Sequence, residues 1–290
     1  MAPMSDVLQT LLNLLDLEVL EADLFRGHGP KSDRPRVFGG HVIGQALVAA
    51  SRTVEGRRPH SLHAYFMRPG DPSVPIIYDV DLLRDGRSFA TRNVVARQHG
   101  RPIYQMAVSF MTAEDHFDHQ AEMPDVPGPN ELPPEKERRT ALVHLLPKAD
   151  QQRFLSERAI EIRPIDAPPP PTHEPCEPVR RYWARTLKPL PADFTEHDCV
   201  LAYASDMTIA ETALAPHGQT WYSDEIVTAS LDHSMWFHRD FRADEWLLFD
   251  QWAPSAMGGR GLNFGNIFTE DGRLVASMTQ EGMIRRRGDA

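Results

Sequence analysis

Cysteine is scarce in this sequence. Its 290 residues include only Cys176 and Cys199, which lack the close spacing of a metal-binding motif and are too few for a disulfide framework. Proteins without structural disulfides are typical of reducing compartments. We therefore expect a cytoplasmic protein.

Long apolar runs and an excess of basic residues are also missing. No stretch approaches the roughly 18 apolar residues that a membrane span needs, and the formal net charge is −10, which disfavours binding to nucleic acid. Met1–Leu20 has an apolar helical pattern but carries Asp6 and Asp16 and no preceding basic region, unlike a secretory signal. The C-terminus has no Ser-Lys-Leu ending. We expect no membrane insertion, no nucleic-acid partner and no peroxisomal import.

The common catalytic and cofactor motifs are absent as well. The sequence contains no Gly-x-Ser-x-Gly elbow, no Walker A loop, no His-Glu-x-x-His pair and no Rossmann glycine fingerprint. His60 and His63 are three residues apart in a strand-like run, so they should point to opposite faces rather than form a metal pair. No metal site and no cofactor are predicted.

Two clusters of proline divide the chain. They lie at residues 123–134 and 164–178, and the polar stretch between them is compatible with helix. The length suits two domains of the usual size, about 100 to 150 residues. We predict a first domain at residues 1–115, a linker region at 116–178 and a second domain at 179–290.

Both predicted domains have the same order of elements. In the first, Ile43, Leu47 and Ala50 have helical spacing. The strand-like runs that follow are residues 61–67, 75–83, 88–98 and 101–111. In the second domain, a helical pattern at 196–214 precedes strand-like runs at 226–238, 245–253, 261–269 and 273–284. The repeated order predicts a duplicated α+β unit, in which one long helix packs on an antiparallel sheet.

Asp206 is a carboxylate in an apolar setting. On the predicted helix, its neighbours three and four residues away are Ala202, Tyr203, Ile209 and Ala210. The side chain should therefore be enclosed, and a buried aspartate needs a polar partner or a bound water. Such a residue either holds two elements together or takes part in catalysis, and the pattern alone does not choose between these roles.

Gln280 is a second polar residue directed at the core. Leu274, Ala276 and Met278 alternate onto one face of a strand, and Gln280 continues that series. At the equivalent place in the first half, Val108 continues an apolar series. A buried amide costs stability unless it is hydrogen bonded, so its presence in one copy only favours a function, although a core glutamine can also be structural.

Ser230 offers a hydroxyl group on a predicted strand. Strict alternation puts it on one face with Thr228, Asp232 and Ser234. The sequence assigns no base to this hydroxyl, and these polar residues could equally face solvent.

Five strings occur in a defined order along the chain. They are VFGGHVIGQA from Val37, YFMRPGD from Tyr65, YASD from Tyr203, LDHSMWFHR from Leu231 and QEG from Gln280. Together they resemble the type II acyl-CoA thioesterases, the TesB-like family, from about Leu8 to Arg285. The resemblance implies an α+β fold of two tandem hotdog domains, a double hotdog, and hydrolysis of fatty acyl-CoA to free acid and CoA.

The resemblance also implies a catalytic set. In that family an aspartate, a threonine or serine, and a glutamine hold and polarise a water. The matching residues here are Asp206, Ser230 and Gln280, with Thr228 as the alternative to Ser230. The water is expected to attack the thioester directly, without an acyl-enzyme. Backbone N–H groups at Gly39-Gly40 are candidate donors to the oxyanion.

The expected partner is acyl-CoA. Its acyl chain needs an apolar tunnel between helix and sheet, and exposed arginines should meet its phosphates; Arg68, Arg239 and Arg260 are candidates. Two alternatives remain open at this point: a hotdog enoyl-CoA hydratase, in which an aspartate works with a histidine, and a non-catalytic module that binds acyl-CoA. The resemblance further implies a homo-oligomer, a dimer or tetramer.

Overall fold

The computed structural model describes residues 7–29, 35–166, 170–191 and 194–288. Residues 1–6 and 289–290, on which the expectations about targeting partly depend, lie outside the described residues. Within the described ranges, no helix is both long enough and apolar enough to cross a membrane.

Helices and strands alternate in two similar series. The helices are α1 Val7–Leu15, α2 Gly39–Ser51, α3 Glu135–Leu142, α4 Lys148–Leu155 and α5 Phe194–Ser205, with 3-10 helices at Pro129–Glu131, Val143–Leu145 and Ile209–His217. The strands are β1 Glu18–Glu21, β2 Leu24–Gly27, β3 Arg58–Phe66, β4 Ile76–Asp85, β5 Phe89–Gln98, β6 Arg101–Met111, β7 Ile160–Pro164, β8 Val179–Thr186, β9 Ile226–Ser230, β10 Asp232–Phe237, β11 Leu247–Met257, β12 Arg260–Thr269 and β13 Leu274–Arg286.

The strands form one antiparallel sheet. Its order is β1-β2-β4-β5-β6-β3-β10-β13-β12-β11-β8-β7, and β9 pairs with the far end of β13. On each side of the central β3–β10 pair the strands follow in the same order. It is β3-β6-β5-β4-β2-β1 in the first half and β10-β13-β12-β11-β8-β7 in the second. In that pair His63 lies opposite Ser234, Leu62 opposite Met235 and Ala64 opposite His233. The predicted duplication of an α+β unit is therefore present, with the two copies joined edge to edge.

The long helices α2 and α5 pack on each other and cover the same side of the sheet. The positions predicted for the buried face of α2, Ile43, Leu47 and Ala50, are fully buried. Gly40 permits the close approach of α5, because a Cβ at this position would lie 2.3 Å from the carbonyl oxygen of Tyr203. The two helices thus bury one another at the centre of the molecule.

The helix predicted at residues 196–214 is two helices. The α-helix α5 ends at Ser205, and a 3-10 helix begins at Ile209. Asp206 lies in the turn between them, so its predicted place on a helix is wrong, while its predicted enclosure is correct, with 6% of its surface exposed. The α and 3-10 periods of 3.6 and 3.0 residues are too close for a sequence pattern to separate.

The strand predicted at residues 226–238 is also interrupted. Ser230 lies opposite Gly282, and Ser234 lies opposite Thr279. Four steps along one strand therefore match three along the other, which makes a β-bulge at Leu231. The extra residue reverses the alternation, so Ser230 shares a face with buried His233 and not, as predicted, with Asp232 and Ser234.

The stretch predicted as a linker region contains ordered elements. It includes α3, α4 and β7, and β7 pairs with β8 at the outer edge of the second half. The indole N–H of Trp183 on β8 donates to the carbonyl of Pro127 at 2.9 Å. The segment therefore packs on the second half, and the boundaries at residues 115 and 178 stay predictions.

Candidate active site

The three side chains proposed from the sequence form one hydrogen-bonded triangle. Asp206 Oδ1 accepts hydrogen bonds from Gln280 Nε2 at 2.9 Å and from Ser230 Oγ at 3.2 Å. Gln280 Nε2 also donates to Ser230 Oγ at 2.6 Å. The amide has two protons and the hydroxyl has one, so every bond in this triangle has its own proton.

The local structure explains how each side chain reaches the triangle. Gln280 follows the buried series of β13 as the alternation predicts, and its side chain has no exposed surface. Ser230 is the last residue of β9 and lies immediately before the bulge. Thr228, its alternative, is buried on the same face, but within the described ranges its hydroxyl has no hydrogen bond to Asp206 or Gln280.

The second carboxylate oxygen is bound by the N-terminus of α2. The Gly40 N–H donates to Asp206 Oδ2 at 2.8 Å. A Cβ on Gly39 would lie 2.5 Å from the same oxygen, so only glycine allows the carboxylate to sit against the first turn of the helix. The positive end of the helix dipole favours a negative charge here. The amide of Gly40, expected to bind an oxyanion, is engaged by Asp206 instead.

Burial and hydrogen bonding act on Asp206 in opposite directions. Burial raises the pKa of its carboxyl from 3.8 to about 6, and the bonds from Gln280, Gly40 and Ser230 and the charge of Arg36 limit the rise. The group is therefore mostly ionised at neutral pH, yet basic enough to accept a proton. A pKa close to the working pH is what general-base catalysis needs.

Sequence reasoning missed three residues that act on this group. His233 contacts Gln280, and Ser205 contacts His233. The Arg36 guanidinium donates to the carbonyl of Thr228 and is the cation that lowers the Asp206 pKa. His233 and Ser205 belong to strings already noted for the resemblance, but the bulge at Leu231 hid the fact that His233 shares a face with Ser230.

A tyrosine hydroxyl is buried beside the carboxylate. The ring of Tyr104 on β6 packs 5.0 Å from that of Phe66, which in turn borders Gly39. Burial and the charge of Asp206 raise the pKa of the Tyr104 phenol well above 10. Within the described ranges its hydroxyl has no hydrogen-bond partner, so it remains a protonated donor close to the site.

The arginines suggested for CoA have partners within the protein. Arg239 pairs with Asp118, and Arg260 pairs with Glu281 at 2.9 Å. Arg68 donates to a backbone carbonyl at 2.7 Å and remains exposed. All three side chains are at least partly exposed. Their contact with the phosphates of CoA stays a prediction.

A small apolar cavity of about 10 Å³, enough for a single water, lies between α5 and the second half of the sheet. Val200, Leu201 and Ala204 line it from the helix, and Ala184 and Phe249 line it from the strands. Ala204 is two residues before Asp206 in the sequence, and the residues that line the cavity do not include Asp206 itself.

Two family models match the chain. The acyl-CoA thioesterase model covers residues 151–283, and the model of the acyl-CoA thioesterase N-terminal domain covers residues 28–111. Acyl-CoA thioesterase 2 of Haemophilus influenzae is 40% identical over 97% of this chain and 99% of its own length. Human acyl-coenzyme A thioesterase 8 is 41% identical over 98% of this chain and 91% of its own length.

Solved structures agree in fold. The acyl-CoA thioesterase II TesB2 from Mycobacterium marinum superimposes with a TM-score of 0.77 at 41% identity, covering 97% of this chain and 98% of its own. A hot dog fold protein from Alicyclobacillus acidocaldarius has a TM-score of 0.74 at 21% identity, covering 94% and 97%. The α+β double hotdog expected from the sequence is confirmed. The chain belongs to the acyl-CoA thioesterase family and is a thioester hydrolase of the TesB-like, double hotdog type.

Proposed function

We propose that the protein hydrolyses fatty acyl-CoA by direct attack of a water molecule that Asp206 activates. The observation that carries this proposal is the convergence of Ser230, Gln280 and the Gly40 N–H on one buried carboxylate with a pKa of about 6. A carboxylate has about four acceptor positions, and three are used here, which leaves one for a water.

The reaction proceeds in two steps. In the first, the water oxygen bonds to the thioester carbonyl carbon, its proton passes to Asp206, and the carbonyl electron pair moves to oxygen. In the second, this pair re-forms the carbonyl, the carbon–sulfur bond breaks, and the departing CoA sulfur takes the proton from Asp206. Ser230 and Gln280 hold the carboxylate and the water in place, and no bond forms between acyl group and protein.

The developing oxyanion requires a hydrogen-bond donor that the carboxylate does not use. Gly40 is engaged by Asp206, so the neighbouring N–H of Gly39 and the Tyr104 hydroxyl are the donors we propose. The apolar layer between α5 and the second half of the sheet would have to open to receive the acyl chain, because its cavity holds only about 10 Å³.

The assembly and location remain proposals that rest on the family resemblance. Exposed aromatic side chains lie on the strands, including Tyr65, Trp236 and Trp252, and they support a homo-oligomer, a dimer or tetramer. Light scattering on the purified protein would give the mass. A cytoplasmic location is consistent with two free cysteines.

Release of free thiol from acyl-CoA esters of increasing chain length tests the proposal. We expect wild type to release CoA and Asp206→Asn to lose activity by about a hundredfold or more. Asp232→Asn is the matched control. This carboxylate on β10 accepts the Glu281 N–H at 2.7 Å and, in the part of the chain that the structure describes, forms no hydrogen bond with Asp206, Ser230 or Gln280. Full activity of Asp206→Asn would contradict the proposal. Binding of acyl-CoA without thiol release would favour a non-catalytic binding module. Hydration of crotonyl-CoA without thiol release would favour a hydratase.

Ser230 provides a separate test of direct water attack. If Ser230 only positions groups, Ser230→Ala should keep measurable turnover, reduced by about tenfold to a hundredfold. Wild type should show no burst of CoA release before the steady state. A burst together with complete loss of activity in Ser230→Ala would instead indicate a seryl acyl-enzyme.

A further inference from the structure

The imidazole of His233 has partners at both of its nitrogens. The side chain on β10 has no exposed surface. Its Nδ1 lies 3.0 Å from Gln280 Oε1, and its Nε2 lies 2.9 Å from Ser205 Oγ. Ser205 directly precedes Asp206, so this one ring links the segment that carries the carboxylate to the amide that binds it.

The bonds around Gln280 determine where its protons lie. If the amide were rotated by half a turn, its oxygen would face Asp206 Oδ1, and two acceptors would meet. The Gln280 NH₂ group therefore faces Asp206, and its oxygen faces His233. That oxygen can only accept, so His233 Nδ1 carries the proton.

The second nitrogen then acts as an acceptor. Burial lowers the pKa of His233 to about 4, so the ring is neutral at pH 7 and has a single N–H. Nε2 can accept from the Ser205 hydroxyl at 2.9 Å, and the Ala202 carbonyl at 2.8 Å is the second acceptor for the same single proton. One tautomer of His233 satisfies every partner.

The first half of the molecule lacks this arrangement. Val108 on β6 is the counterpart of Gln280, and it lies opposite Leu62 on β3. Leu62 is therefore the counterpart of His233, and both apolar side chains are buried. At these equivalent positions, a histidine occurs only in the half that carries the glutamine. This indicates that the two residues act together.

From these contacts we propose that His233 is a positioning residue for the thioesterase reaction. It locks the Gln280 amide so that the NH₂ group faces Asp206 and Ser230, and it anchors that amide to Ser205. This inference rests on the proposed function. It adds a residue that acts through Gln280 and does not touch the water or the thioester.

A double-mutant cycle tests the proposal. The variants are His233→Leu, Gln280→Val and the pair together, which reproduces Leu62 and Val108 of the first half. We expect His233→Leu to lower kcat by about tenfold to a hundredfold with KM changed by less than about threefold. In the Gln280→Val background, the same substitution should change kcat by less than about twofold, because the group it orients is gone.

Several outcomes would overturn the proposal. One is a multiplicative loss in the double variant, which would mean that His233 acts independently of Gln280. Another is a kcat for His233→Leu within about twofold of wild type. Circular dichroism and thermal melting check the fold, and if His233→Leu does not fold, His233→Asn takes its place in the cycle. If Asp206→Asn and Gln280→Val are impaired while His233→Leu is not, the proposed function survives and only this inference fails.

Discussion

The carboxyl group of Asp206 combines two properties that usually exclude each other. A buried carboxylate resists ionisation, and one that accepts several hydrogen bonds ionises readily. Here burial outweighs the bonds from Gln280, Gly40 and Ser230, so the pKa rises to about 6 rather than falling. The balance leaves a base that is charged at neutral pH and still able to take a proton.

This balance predicts the pH dependence of catalysis. A base must be deprotonated, so kcat/KM should fall about tenfold per pH unit below about pH 6 and level off above it. His233 does not contribute to the change near pH 6, because its pKa is lowered to about 4. The hydrogen bond from Gln280 lowers the Asp206 pKa. In Gln280→Val this bond is lost, so the acidic limb of the kcat/KM profile should move to higher pH. A limb near pH 4 in wild type would contradict the assignment.

At the scale of elements, sequence periodicity was reliable where an element is uninterrupted. The alternation of β13 is continuous, and Gln280 is buried as predicted. Sequence periodicity failed at two irregular points. The bulge at Leu231 inserts one residue, and the change of helix type after Ser205 moves Asp206 into a turn. Neither event has a periodic signal, and the bulge depends on pairing with β13, which is distant in the sequence.

Short edge elements were missed for a different reason. The strands β1 and β2 have four residues each, too few for an alternation to be recognised. The strand β7 follows a polar helical region and ends at a proline. Pairing with β8 defines β7, and the sequence gives no local sign of that partner.

The contact between α2 and α5 predicts the effect of a single methyl group. In Gly40→Ala, the new Cβ would lie 2.3 Å from the Tyr203 carbonyl oxygen, so the helices must separate. Overpacking of this kind costs about 1–3 kcal/mol, and the shift also draws the residue 40 N–H away from Asp206. We expect lower stability in urea unfolding and a reduced kcat.

Val48→Ala, on the same helix and only partly buried, is the control. It should lose some stability without a change in kcat, because it shortens a side chain that is remote from the carboxylate. A wild-type kcat in Gly40→Ala would show that the Gly40 N–H bond does not matter for turnover.

At the scale of the whole molecule, the two copies of the α+β unit contribute different groups to the candidate site. The second half supplies Asp206, Ser230 and Gln280, whereas the first supplies the Gly40 N–H that binds the other carboxylate oxygen. The equivalent of Gln280 in the first half, Val108, is apolar and contributes packing. Among the described residues, the polar triangle therefore lies in the second half, although the fold is duplicated.

The shared site predicts that neither half is active alone. Residues 1–115 and 116–290, produced as separate chains, would each expose the face along which α2 and α5 pack. Each would also expose one edge of its central strand, β3 or β10, where the two strands pair in the whole protein. The second half would also lose the Gly40 donor to Asp206. We expect thiol release only after the two chains are refolded together, with co-elution on size exclusion. The mixture made with Asp206→Asn should remain inactive, and substantial activity of the second half by itself would show that the first half is not part of the site.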